Sequence, residues 1–182
     1  MEIQTALDAL GGWLVQTDIG LGLLLLVGLS MSLSHVFTLL ANRLNRRQII
    51  VHLILDGLML SVAFLLSSSI DMVLLATSAS VTIHPSDFIN GVAICLLPAV
   101  FYLLVAAPYV GETIGLGIWV LMHLNVITLL HARFALPYGE ALLLATPGYV
   151  VAVLLVWLLF RQGWQAGYST LASQLSDAHG SE

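Results

Sequence analysis

The chain has no lysine, five arginines and ten acidic residues among its 182 positions, so only 8 % of its residues are charged. A soluble domain carries roughly a quarter. So few charges cannot solvate the surface of a soluble fold of this size, which excludes a soluble enzyme. The same scarcity of cations excludes a nucleic-acid binder, which needs a basic patch. One cysteine, Cys95, permits neither an intrachain disulfide nor a thiolate metal site. Within its apolar run it reads as a small buried hydrophobe. The residues before position 19 hold Glu2, Asp8 and Asp18 but no cation. They lack the positive start of a secretory signal, so the first helix is expected to remain in the mature protein. No catalytic signature is present either: no G-x-S-x-G, no H-E-x-x-H and no glycine-rich phosphate loop in a strand-to-helix context.

What is there is apolar: 59 % of residues are hydrophobic and the mean hydropathy is +1.02. Polar punctuation divides the chain into five runs, at residues 19–40, 48–70, 88–107, 111–131 and 141–160. Each is about 20 residues, enough to cross a hydrocarbon core of roughly 30 Å. The punctuation is Arg43-Leu44-Asn45-Arg46-Arg47, then three serines with Asp71, then Pro108, then Arg133 with Pro137-Tyr138-Gly139, and last Arg161. A lipid-exposed backbone satisfies its hydrogen bonds within itself, so each run must be helical. A barrel would need alternation, which Leu23-Leu24-Leu25-Leu26-Val27 does not show. The expected fold is an all-α, five-helix membrane bundle in one domain, residues 1–161, followed by an amphipathic tail, residues 162–182. Arg43, Arg46, Arg47 and Arg161 fall on one side and Arg133 on the other. The positive-inside rule then predicts the N-terminus outside and the C-terminus cytoplasmic.

Ionisable groups inside apolar runs are costly and need an account. Asp56 lies in the second run with His52 one turn before it, at a spacing that lets the two share a proton. His35 falls near the same end of the first run. The three read as an interhelical polar latch or, alternatively, a proton relay. In the fourth run, Glu112 and His123 share a helix face with Leu116 and Trp119 but stand about 16 Å apart along the axis. Glu112, in the first turn, suits the helix dipole. His123 and Asn125 are expected to hydrogen-bond between helices. Gly28 with Ser32, and Gly111 with Gly115, are small pairs that allow close helix packing. In the tail, Trp164, Tyr168, Leu171 and Leu175 follow one helical face. Trp and Tyr favour the headgroup level, so the tail is expected to be a short interfacial helix continuing the fifth run. A docking face for a partner and a disordered tail are the alternatives. The absence of Lys and Arg beyond Arg161 argues against an anionic-lipid sensor.

The C-terminal half has a particular order. An apolar helix containing Pro98 precedes the break Pro108-Tyr109-Val110-Gly111 and a helix bearing Trp119. The stretch from Leu130 to Leu142 then leads through Pro137-Tyr138-Gly139-Glu140-Ala141 into the last helix. Over about residues 85–160 this resembles the membrane domain of the Yip/Yif family, the Ypt- and Rab-interacting proteins and their bacterial relatives of unassigned activity. Trp119, Gly139 and Ala141 match the family's Trp near the start of the penultimate helix and the glycine and alanine opening the last. Glu140 stands where the family usually has a basic residue, and Phe134 and Pro137 where it has His or small polar residues. Eukaryotic members carry a long cytosolic N-terminal region, so Rab binding is not carried over. The resemblance implies a bacterial inner-membrane bundle that works through contacts rather than turnover. The expected role is non-enzymatic: organising or binding another membrane component, with the bilayer and a membrane protein as partners and no cofactor or metal. An accessory subunit of a larger complex, and a proton-coupled carrier or channel using Asp56 and the histidines, are the alternatives.

Overall fold

The computed structural model describes residues 19–41, 45–78, 82–107 and 109–179, with side chains given only as far as Arg161. The described residues are all-helical, without a strand. In chain order they form α1 (Gly20–Leu33), α2 (Val36–Ala41), α3 (Arg46–Ser78), α4 (Pro85–Cys95), a 3₁₀ segment (Leu97–Ala106), α5 (Gly111–Phe134) and α6 (Tyr138–His179). Among the described residues four helical stretches are long and apolar enough to cross a membrane: Arg46–Ser78, Pro85–Ala106, Gly111–Phe134 and Tyr138–Arg161. The chain is thus built as an α-helical membrane protein. Large side chains such as Val62, Phe101, Leu116 and Leu143 point outward, as lipid-facing positions do. Leu24, Met31, Phe64, Phe88, Met122 and Leu130 fill the core between the helices.

The first apolar run is two helices rather than one. Ser34 Oγ donates to the Met31 carbonyl at 2.7 Å, and the Ser34 N–H reaches the same oxygen at 3.2 Å. The His35 N–H turns instead to the Ser32 carbonyl at 2.9 Å. A short hydroxyl side chain here competes with the backbone ladder and stops the α-helix. At 14 residues, α1 is about 21 Å long.

The serines and Asp71 do not close the second run; α3 continues through them to Ser78. Ser61, Ser68 and Ser69 donate to the carbonyls of Gly57, Phe64 and Leu65, four residues back, at 2.7, 2.8 and 2.8 Å. Each hydroxyl is therefore satisfied inside the helix and terminates nothing. The connection before α4 is accordingly shorter than the gap of residues 71–87 left between the second and third runs.

The span from Pro85 to Ala106 changes helix type at Pro98. Proline has no N–H to donate, and the Ala99 N–H bonds the Leu96 carbonyl at 2.9 Å, a 3₁₀ bond. The Cys95 carbonyl thereby loses its α-helical partner. Asn125 of α5 supplies the replacement, its Nδ2 donating to that oxygen at 3.2 Å. A neighbouring helix re-satisfies the backbone group that proline frees.

α1 crosses α3 at small residues. A Cβ on Gly28 would overlap the Gly57 carbonyl and Ser61 Oγ, and one on Gly57 would lie 2.6 Å from Leu29 Cδ2. Ser61 Oγ also reaches the Leu24 carbonyl at 3.0 Å, and Ser32 Oγ the Leu53 carbonyl at 2.9 Å. Gly111 and Gly115 serve another contact: a Cβ on Gly111 would strike the Val105 carbonyl, and one on Gly115 would lie 3.4 Å from Val105 Cγ2. They fold α5 back on the 3₁₀ segment. At the other end of α5, Arg133 pairs with Asp87 at 3.3 Å and also donates to the Asp87 carbonyl at 2.9 Å. That holds the start of α4 and the end of α5 on one side of the bundle.

Candidate functional site

A buried polar contact lies where α3 meets α6. Asp71 is 3 % exposed, and its Oδ1 accepts the Gly148 N–H at 3.0 Å. One turn earlier Ser67 Oγ donates to the Gly148 carbonyl at 2.7 Å. Both polar atoms of one glycine peptide position are thus held by side chains of α3. The local sequence explains why. Pro147 interrupts the α6 ladder, and Gly148 beside it has no Cβ. A Cβ there would overlap the Asp71 carboxylate and come 2.6 Å from the Ser67 carbonyl oxygen.

Beside this contact is a cavity of about 20 Å³, room for a water molecule. Ser67, Ser68 and Asp71 line it from α3, Trp119 and His123 from α5, and Tyr149 from α6, with apolar walls including Val92 and Leu96. The His123 ring stacks on Tyr149 at 4.2 Å, and Trp119 meets the Tyr149 edge at 5.9 Å. Trp119 Nε1 lies 3.4 Å from the Tyr102 hydroxyl. His123 Nδ1 is buried with no hydrogen-bond partner among the described residues. Among the described residues its polar lining is one carboxylate, two serine hydroxyls, one phenol, one indole and one imidazole, with no arginine. Its size suits water or a proton rather than an organic substrate.

The other polar residues singled out in the sequence lie elsewhere. Asp56 is half-buried on α3, with His35 and His52 close enough to act on its charge. His52 is exposed, and the His35 ring packs edge-on against Phe160 at 4.1 Å. Among the described residues no hydrogen bond joins the three, and no three His, Cys, Asp or Glu side chains converge as metal ligands do. Asn125 sits at the Pro98 break and His123 at the cavity, so these near neighbours in sequence serve different contacts. Cys95 is a buried free thiol. Glu112 is exposed in the first turn of α5. The side chains of Trp164, Tyr168, Leu171 and Leu175 lie outside the described residues, as does Arg43; the backbone of α6 is helical to His179.

Sequence reasoning missed Asp71, Ser67 and Tyr149. A signal existed: Ser67 and Asp71 are one turn apart, and Pro147-Gly148 interrupts an otherwise apolar helix. Reading Asp71 as the end of a span concealed it. In comparisons with known proteins, no family model, no curated protein and no solved structure matches this chain.

Proposed function

We propose that this chain is a five-span protein of a bacterial inner membrane, of the Yip/Yif type, that works without turnover by binding another membrane component. In this reading α1 and α2 together make the first span, the N-terminus is outside and the C-terminus cytoplasmic. The observation that carries the reading is the length of α6. Its 42 residues extend about 63 Å, roughly twice the thickness of a bilayer core. The helix therefore continues well past Arg161, into the stretch where Trp164, Tyr168, Leu171 and Leu175 recur at helical spacing. An apolar stripe on a helix beyond the membrane invites a surface to cover it. Photo-crosslinkers placed between residues 162 and 179 in native membranes test this. The expected result is one discrete protein adduct, lost in a Leu171→Asp, Leu175→Asp variant that still inserts. Lipid adducts alone would refute partner binding.

A second reading, a proton-coupled carrier or channel, draws support from Asp56 and the two histidines beside it. It requires proton flux in reconstituted vesicles that disappears in Asp56→Asn.

A further inference from the structure

We infer that the outward face of α6 is a seam for a second copy of this chain. The two α6 helices pair in parallel as a coiled coil that runs from the membrane into the tail. This rests on the partner reading above and gives that partner an identity.

Within the bundle α6 has a buried face and an open one. Ala145, Gly148, Ala152 and Val156 are buried. Val150, Leu154, Trp157 and Arg161, at steps of four, three and four, are all exposed. Those steps are the a and d spacing of a heptad. The same register continues without a gap through Trp164, Tyr168, Leu171 and Leu175, on a backbone that stays helical to His179. Five turns of α-helix take about 18 residues, so position 175 returns to the line of Trp157. The tail stripe is therefore the outward face of α6 prolonged. The bundle packs on the opposite face and does not cover it.

A second copy suits this seam geometrically. Two chains inserted in one orientation present the same helix at the same height and in the same direction, so pairing is parallel and in register. It also suits the charges. Residues flanking a and d set partner choice in coiled coils, and in the tail these are Gln165, Gly167, Ala172 and Gln174, all uncharged. Identical helices therefore do not repel one another there. A single polar residue at an a position fixes register at a cost in stability, and Arg161 holds such a position. Its guanidinium lies 5.1 Å over the Trp157 ring, a cation–π contact that offsets part of that cost. Lipid supplies no hydrophobic drive between helices, so the tail provides it. Trp164 and Tyr168 of two copies, at roughly 150–250 Å² a ring, bury on the order of 600–1,000 Å². Leu171 and Leu175 bring the total towards the 1,200 Å² or so of a specific interface.

The test co-expresses two differently tagged copies of the full chain at low level and treats isolated membranes with a mild oxidant. The native chain, whose one cysteine, Cys95, is buried, is the blank. Tyr168→Cys, Leu171→Cys and Leu175→Cys should each give a disulfide-linked pair carrying both tags. Ser169→Cys, Ser173→Cys and Ser176→Cys, off the seam, should not. Leu171→Asp with Leu175→Asp should abolish the pair formed by Tyr168→Cys while membrane insertion persists. Equal pairing on and off the seam, or a Tyr168→Cys pair indifferent to the two aspartates, overturns the proposal. Photo-crosslinkers between residues 162 and 179 separate it from the broader reading. An adduct with a different protein, without a pair between the tags, overturns the second copy and leaves partner binding standing. Lipid adducts alone overturn both.

Discussion

Asp71 and Gly148 lie 77 positions apart in the chain and are joined at 3.0 Å, the carboxylate accepting the N–H one residue after Pro147. Ser67, donating to the carbonyl of the same glycine, completes a clamp by α3 on the weakest point of the α6 ladder. The clamp and the proline depend on each other: a helix interrupted by proline needs polar neighbours, and a carboxylate in an apolar core needs a donor.

Gly148→Ala is expected to destabilise the bundle by about 1–3 kcal/mol, the usual range for overpacking a filled core. Adding Asp71→Ala should recover only part of the loss, because the Ser67 carbonyl remains 2.6 Å from the new methyl group. Denaturant unfolding in detergent, followed by tryptophan fluorescence, measures both.

The α1–α3 crossing gives a matched pair of substitutions. Gly28→Ala drives a methyl into the Gly57 carbonyl and Ser61 Oγ, whereas a Cβ on Gly22 meets nothing within 4 Å. Gly28→Ala should therefore cost about 1–3 kcal/mol. Gly22→Ala should stabilise slightly, by up to about 1 kcal/mol from helix propensity. Equal effects at the two sites would show that α1 does not pack on α3 in this register.

At the Pro98 break, Asn125→Ala leaves the Cys95 carbonyl without its partner. Hydrogen bonds of this kind average about 0.6 kcal/mol within membranes, and a loss of that order is expected. In a Pro98→Ala background the backbone can regain its own N–H donor, so the same substitution should cost less. A double-mutant cycle isolates the difference.

Orientation is checked by labelling. With the N-terminus outside, a cysteine replacing Ser78 should react with an impermeant maleimide in intact cells, and one replacing Ser173 should not. Because Arg133 bonds Asp87, a cysteine at Ser86 should label together with one at Ala132. Reaction of the Ser173 variant alone would reverse the orientation.

Leu171→Phe and Leu175→Phe separate a lipid-covered tail from a protein-covered one. A bilayer has no fixed shape and tolerates either change, while a packed interface penalises added volume by about 1–3 kcal/mol. On the partner reading, both substitutions should weaken co-purification in mild detergent without affecting membrane insertion. Unchanged recovery would assign the stripe to lipid.

Composition alone determined that this is a helical membrane protein. With 8 % charge and 59 % apolar residues, no other solvent suits the chain, and a backbone in lipid must close its hydrogen bonds locally. The break between the third and fourth runs was also legible, since proline and the turn residues act on the backbone where they stand. The ends of α1 and α3 were not legible in this way. One serine stops a helix, as Ser34 does through Met31, and others sit harmlessly within one, as Ser68 and Ser69 do on carbonyls one turn back. The residue type is the same, and only the bond it makes distinguishes them. The polar interior depended on tertiary structure to a greater degree. His123 and Asn125, two residues apart, face different helices: one lines the cavity with Asp71, the other caps Cys95. Asp71 became a core residue because α6 brings Gly148, a donor with no side chain, against it. Hydropathy measures a residue's preference for water, whereas the cost of burying it is set by whichever partner the fold delivers.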